Sequence, residues 1–134
     1  GRSDDTLNIA GKRIGPPEIE AALTETGKVV DAAAIAAPDD IKGVAVVCVC
    51  VAAPGVTPDD ALVEQLRNQV GEVVSKPFRP REIHFVEALP KTRSMKTMRR
   101  IVRAAFLDDD PGDLSSISNP ETIQPIAKLR KEKP

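Results

Sequence analysis

The chain has 134 residues and a formal net charge of -1, with 41% hydrophobic and 29% charged residues, which fits one folded domain rather than a disordered or low-complexity segment. Trp and Tyr are absent and only three Phe occur, so little is available to stack exposed bases, and a single-strand nucleic-acid module is disfavoured. No apolar run approaches the ~18 residues of a membrane span and "GRSDDTLNIA" lacks the pattern of a signal peptide, so the expectation is a soluble, cytoplasmic protein with no membrane or nucleic-acid partner.

In chain order, Leu7, Ile9, Lys12 and Ile14 flank Ala10-Gly11 in short alternating stretches and predict a hairpin. "PPEIEAALTETG" opens on Pro, carries glutamates in its first turn, spaces Ile19, Ala22 and Leu23 as a helix does, and predicts a helix over 16–26. "VVDAAAIAAPDD" and "GVAVVCVCVAAPG" are apolar runs of strand length between turn residues and predict two neighbouring strands. "TPDDALVEQLRNQVGEVVS" starts on a Thr or Asp cap and repeats apolar residues at Leu62, Val63, Leu66, Val70 and Val73 or Val74, the pattern of an amphipathic helix. Alternation across Ile83, His84, Phe85 and Val86 predicts a third core strand at about 82–87. Met98, Ile101, Val102, Ala105 and Phe106 predict a helix from about residue 95 onward, with Ser94 as its N-cap. Asn119 and Pro120 read as cap and first turn of a short terminal helix, and 127–134 as a basic, flexible tail after a domain at 1–126. The expected fold class is α+β, a small mixed or antiparallel sheet of about three core strands plus an N-terminal hairpin, flanked by helices.

Cys48 and Cys50 stand two apart in a strand, so their thiols share one face and cannot readily pair. His84 is the only histidine, too few ligands for zinc, and two buried thiols with no metal site is the expected reading.

Two stretches carry chemistry. "LPKTRSMKTMRR", residues 89–100, holds five cations in a chain that is slightly acidic overall. On the predicted helix Lys96, Arg99, Arg100 and Arg103 share one face, which is either a solvated basic surface or a phosphate site formed with the helix's first N–H groups. At the hairpin tip, Gly11 permits positive φ or close approach of another backbone, beside Lys12 and Arg13.

Together, "GRSDDTLNIAGKRIGPPEIE" and "LPKTRSMKTMRRIVR" resemble the C-terminal domain of AMP-forming acyl-CoA synthetases, the adenylate-forming superfamily, over about residues 1–126. Asn8, Gly15 and the tail "GDLSSISNPETI" are similar to the acetyl-CoA and propionyl-CoA synthetase branch. The resemblance implies a mobile lid, inactive alone, that partners the N-terminal domain of the same ligase: ATP and a short carboxylic acid form an acyl-adenylate, then CoA displaces AMP. Magnesium is held mainly by that N-terminal domain, and this domain holds no cofactor tightly. Lys96 takes the place of the adenylation lysine, Asp4 of the hinge, Arg2 of a nucleotide contact, and Gly11 and Arg13 of the CoA-side loop; Arg99, Arg100 and Arg103 are left as surface or interdomain charges. Met95 stands where the family pattern has Gly. In relatives the adenylation lysine is reversibly acetylated, so a lysine acetyltransferase and deacetylase are implied partners. The alternative is a non-catalytic polyanion-binding or regulatory module, against which Asp108, Asp109, Asp110 and Asp113 weigh.

Overall fold

The computed structural model describes residues 6–9, 11–41 and 43–131. β1 (Leu7–Ile9) and β2 (Lys12–Ile14) form the expected antiparallel hairpin, pairing Leu7 with Ile14 and Ile9 with Lys12. α1 (Pro16–Thr24) follows. It ends two residues before the predicted limit, where the Thr26 hydroxyl donates to the Leu23 carbonyl at 2.7 Å and Gly27 turns the chain at φ 76°.

β3 (Val29–Asp39) and β4 (Gly43–Ala52) pair antiparallel, and β5 (Glu82–Phe85) joins β4 in parallel, giving a mixed three-stranded sheet in the order β3-β4-β5. A parallel neighbour requires a crossover, supplied by α2 (Asp60–Val73). The Asp59 carboxylate caps α2 by accepting from the Leu62 N–H at 2.9 Å, a contact of about 1 kcal/mol. β5 stops at Phe85, short of the predicted 87. α3 (Arg99–Leu107) and α4 (Ile123–Lys131) complete the chain. A 3-10 turn at Pro120–Thr122 leads into α4, which runs through the boundary expected at 126 and packs Leu129 against the core.

Strand periodicity divides the interior in two. Ala32 and Ala34 of β3 and Val46, Cys48 and Cys50 of β4 face a core shared with the β1–β2 hairpin, α1 and α2. Ala33, Ile35 and Ala37 with Val47 and Val49 face the other side, where α3 and α4 supply Val102, Phe106 and Ile126. The sheet is thus the middle of three layers. Both thiols are fully buried in the first core, and burial pushes that of Cys48 well up and that of Cys50 to about 12, so each stays a neutral hydrophobe. His84 lies on the opposite face, its ring 5.4 Å from that of Phe106 and its Nε2 2.8 Å from Glu82 Oε1.

β3 is an edge strand, and side chains occupy its outer polar groups. Glu20 of α1 accepts from the Ala34 N–H at 2.8 Å, and Arg103 of α3 donates to the Ala36 carbonyl at 2.8 Å. Glu20 also receives Arg99 in a two-pronged pair at 2.7 and 2.5 Å, largely shielded from water, tying α1 to the first turn of α3. Removing one partner leaves the other charge uncompensated, which is where the cost of breaking such a pair lies.

Candidate functional site

The segment 89–98 forms a small hairpin rather than the start of a helix. The Met98 N–H donates to the Pro90 carbonyl at 2.9 Å, Lys91 bridges Thr97, and the Thr92 N–H donates to the Lys96 carbonyl at 2.9 Å. The turn closes with the Met95 N–H on the Thr92 carbonyl at 2.9 Å and with Met95 at φ 70°. A left-handed residue in fourth place is how such a three-residue turn rejoins the strand. It also ends helical periodicity at that point, so the helix predicted from 95 begins only at Arg99. Ser94 is not its cap, since its hydroxyl meets that of Thr92 at 3.0 Å and Met98 holds the cap position without a side-chain bond. Lys96 therefore does not share a helix face with Arg99, Arg100 and Arg103.

This geometry sorts the cations. Lys91 is pinned inward, its ammonium 2.7 Å from Asp31 Oδ2 and 2.8 Å from Thr97 Oγ1. Arg99 is held by Glu20, Arg103 by the Ala36 carbonyl, and Arg100 by the carbonyls of Pro111 and Asp113. Arg99 is thus a half-buried fastener of the domain, whereas Arg100 and Arg103 are exposed, as expected of surface charges, while bonded to main-chain carbonyls. Arg93 and Lys96 are exposed at the hairpin tip, and their side chains have no hydrogen-bond or ion-pair partner among the described residues. Thr92 and Lys96 form the next pair after Lys91 and Thr97, so alternation turns them outward where the inner pair turns in.

Met95 retains the backbone conformation of a glycine while being 69% exposed, so no packing offsets its left-handed geometry. That conformation costs an L-residue about 1–2 kcal/mol. Met95→Gly is expected to stabilise the 134-residue chain by about 0.5–1 kcal/mol, after the larger entropy of an unfolded glycine is subtracted, and to raise its thermal midpoint by about 2–4 °C. Calorimetry showing a lower midpoint would mean that the methionine side chain contributes more than its strain costs.

At the other end of the chemistry, Gly11 has φ 78°, and a Cβ built there meets nothing within 4 Å. Its turn needs the conformation, while the space beside it is open. Arg13 is exposed next to it. Lys12, Arg13 and Ile14 border an open groove of about 650 Å³ completed by Glu18 and Ala21 of α1 and by Val73, Val74, Ser75 and Phe78. The β1–β2 hairpin rests on the first core through Leu7, Ile9 and Ile14, whereas Leu89, at the base of the Lys96 hairpin, belongs to the second. The two candidate loops are consequently mounted on opposite faces of the sheet. Arg2 and Asp4 lie outside the described residues. No group of three or more His, Cys, Asp or Glu arranged to hold a metal occurs among the described residues.

Residues 18–96, more than half of the chain, match the family described as AMP-binding enzyme C-terminal domain. The chain belongs to that family. It is 40% identical over 129 residues to an acetyl-coenzyme A synthetase of Methanothrix soehngenii, covering 96% of this chain and 19% of that protein. It is 39% identical over 132 residues to a 3-hydroxypropionyl-coenzyme A synthetase of Metallosphaera sedula, covering 98% and 20%. Among solved structures, an acyl-CoA synthetase of Brucella canis superposes with a TM-score of 0.75 at 37% identity, over 81% of this chain and 20% of that one. The acetoacetyl-CoA synthetase of Streptomyces lividans superposes with a TM-score of 0.80 over 98% of this chain and 20% of that one, and at 23% identity it supports the fold alone. The chain spans about a fifth of the length of the curated relatives it matches. No helix among the described residues is long and apolar enough to cross a membrane.

Sequence reasoning did not find the fasteners: Glu20 against Arg99, Asp31 against Lys91, and Asn119, whose side chain grips 89–91 instead of capping a helix. These partners are 28 to 79 residues apart, and nothing local announces them.

Proposed function

We propose that this AMP-binding enzyme C-terminal domain serves an acyl-CoA synthetase of the acetyl-CoA and propionyl-CoA branch as its mobile lid, presenting the Lys96 hairpin for adenylation and the Gly11 hairpin for thioester formation. The observation that carries this reading is the placement of the two loops on opposite faces of one sheet. A single rigid body with a different polar tip on each side can serve two half-reactions only by turning.

In the adenylation pose the Lys96 ammonium approaches the acyl carboxylate and the α-phosphate of ATP together, bringing two anions into contact and stabilising charge on the phosphorus as the carboxylate oxygen attacks and pyrophosphate leaves. Freedom from a partner among the described residues suits this role, because none of their ion pairs has to break first. In the thioester pose the Gly11 turn lies at the path of the CoA thiol, which attacks the acyl carbon and releases AMP. The adjoining groove, with Lys12 and Arg13 on its rim and Val73, Val74 and Phe78 in its wall, has the mixture of cations and apolar surface that a phosphate-bearing, flexible thiol arm requires. Asp4 is proposed as the hinge and Arg2 as a nucleotide contact. Magnesium, ATP and the carboxylic acid bind mainly on the N-terminal domain of the same ligase, in the cytoplasm. Exposed Lys96 is also the proposed target of a lysine acetyltransferase and deacetylase, since acetylation removes its charge; the bulk of Met95 beside it works against access by the modifying enzyme.

Residues 1–134 alone are expected to form no thioester from acetate, ATP and CoA, and to support turnover when joined to the N-terminal domain. Turnover by the 134 residues alone would refute the lid reading. Steeply salt-dependent DNA binding would favour a polyanion-binding module instead.

A further inference from the structure

The Lys96 hairpin has no packing of its own at the tip, where Arg93, Ser94, Met95 and Lys96 are all exposed. Its placement is set at its base, and the base is gripped by the segment just before α4. Asn119 Oδ1 accepts from the Lys91 N–H at 2.8 Å, and its Nδ2 donates to the Leu89 carbonyl at 2.9 Å. The Ser118 N–H donates to the Lys91 carbonyl at 2.8 Å, and Thr92 bridges Ile117. Residues 117–119 thus run as a partial third strand beside 89–92.

Asn119 is itself firmly held. Pro120 disfavours the helical region for its backbone, which stands at φ -135° and ψ 67°. Its carbonyl accepts from the Thr122 N–H at 3.1 Å and the Thr122 hydroxyl at 2.8 Å. Thr122 is buried, and α4 beyond it anchors through Ile126, which is fully enclosed in the second core. An amide carries its acceptor and its donor on separate atoms, so it can accept from one main-chain group while donating to another two residues away. A carboxylate can accept from Lys91 but would set its other oxygen against the Leu89 carbonyl.

We propose that Asn119 is a positioning residue for Lys96, fixing the hairpin base so that the ammonium reaches the α-phosphate, and that this role is confined to adenylation. The proposal rests on the reading of Lys96 given above. The Gly11 hairpin stands on the opposite core and, among the described residues, has no bond to 117–119, so thioester formation does not depend on Asn119.

The test uses an intact synthetase carrying this domain, with Asn119→Ala and Asn119→Asp assayed for carboxylate-dependent ATP–pyrophosphate exchange and, separately, for thioester formation from supplied acyl-adenylate and CoA. The expected result is a fall in exchange kcat of between about ten- and a hundredfold for Ala and at least as large for Asp, whose second oxygen faces the Leu89 carbonyl, with the thioester half-reaction at the parent rate. A misfolded or merely destabilised variant loses both half-reactions in parallel, and that outcome overturns the proposal, as does exchange at the parent rate. Lys96→Ala is run beside them. Exchange that survives Lys96→Ala overturns the reading of Lys96 and the positioning role with it. Exchange lost in Lys96→Ala but intact in Asn119→Ala overturns the positioning role alone.

Discussion

In an intact synthetase carrying this domain, Lys96→Ala is expected to lower carboxylate-dependent ATP–pyrophosphate exchange by about 10²–10³-fold while leaving thioester formation from supplied acyl-adenylate unchanged. The magnitude is that of removing one charge aimed at a developing oxyanion in a closed site. Stability should change by no more than about 0.5 kcal/mol, because the side chain is exposed and unpaired among the described residues. Loss of activity then cannot be assigned to unfolding. Lys96→Arg is not expected to rescue exchange: a planar fork spreads its charge over a wider front and cannot act as a compact point between carboxylate and phosphate. If exchange persists in Lys96→Ala, the exposed cation left at the tip is Arg93, and the double variant separates a substitute from a loop with no catalytic part.

The fold was legible wherever local pattern decides structure. The period-2 runs of β3 and β4 carry their own two-sided burial, and α2 shows cap, stripe and polar face within one stretch of sequence. The family resemblance, borne by the Gly11 and Lys96 stretches, was legible for the same reason. The start of α3 was not. Apolar spacing from Met98 to Phe106 extrapolates smoothly back to Ser94, and only the left-handed Met95 interrupts it, a conformation that a methionine does not advertise. A glycine there would have marked the turn. The role of Arg99 was equally hidden, because a charge run reads as a solvated face until its partners are known, and Glu20 lies 79 residues from Arg99. The same distance effect concealed Asn119. Its position before Pro120 matches a helix cap, and in the fold the side chain turns away to the segment 89–91.

Gly11→Leu is expected to do the reverse of Lys96→Ala, lowering thioester formation from supplied acyl-adenylate by about a hundredfold or more with exchange intact. Two effects of the substitution must be separated. Any L-residue at φ 78° incurs strain of about 1–2 kcal/mol, which acts on the turn and on stability. Bulk is a second effect, and the domain itself does not resist it, since a Cβ at Gly11 meets nothing within 4 Å. Gly11→Ala carries the strain with almost no bulk, whereas Gly11→Leu carries both. If the glycine serves only the hairpin, Ala and Leu should be alike and mild. If it keeps open the path of a thiol, Leu should be far worse than Ala, and the difference should appear in one half-reaction only. Such a result, opposite in sense to that at Lys96, would mean that each face of the sheet carries one chemical step, because each loop is fastened to its own core and can be damaged without disturbing the other.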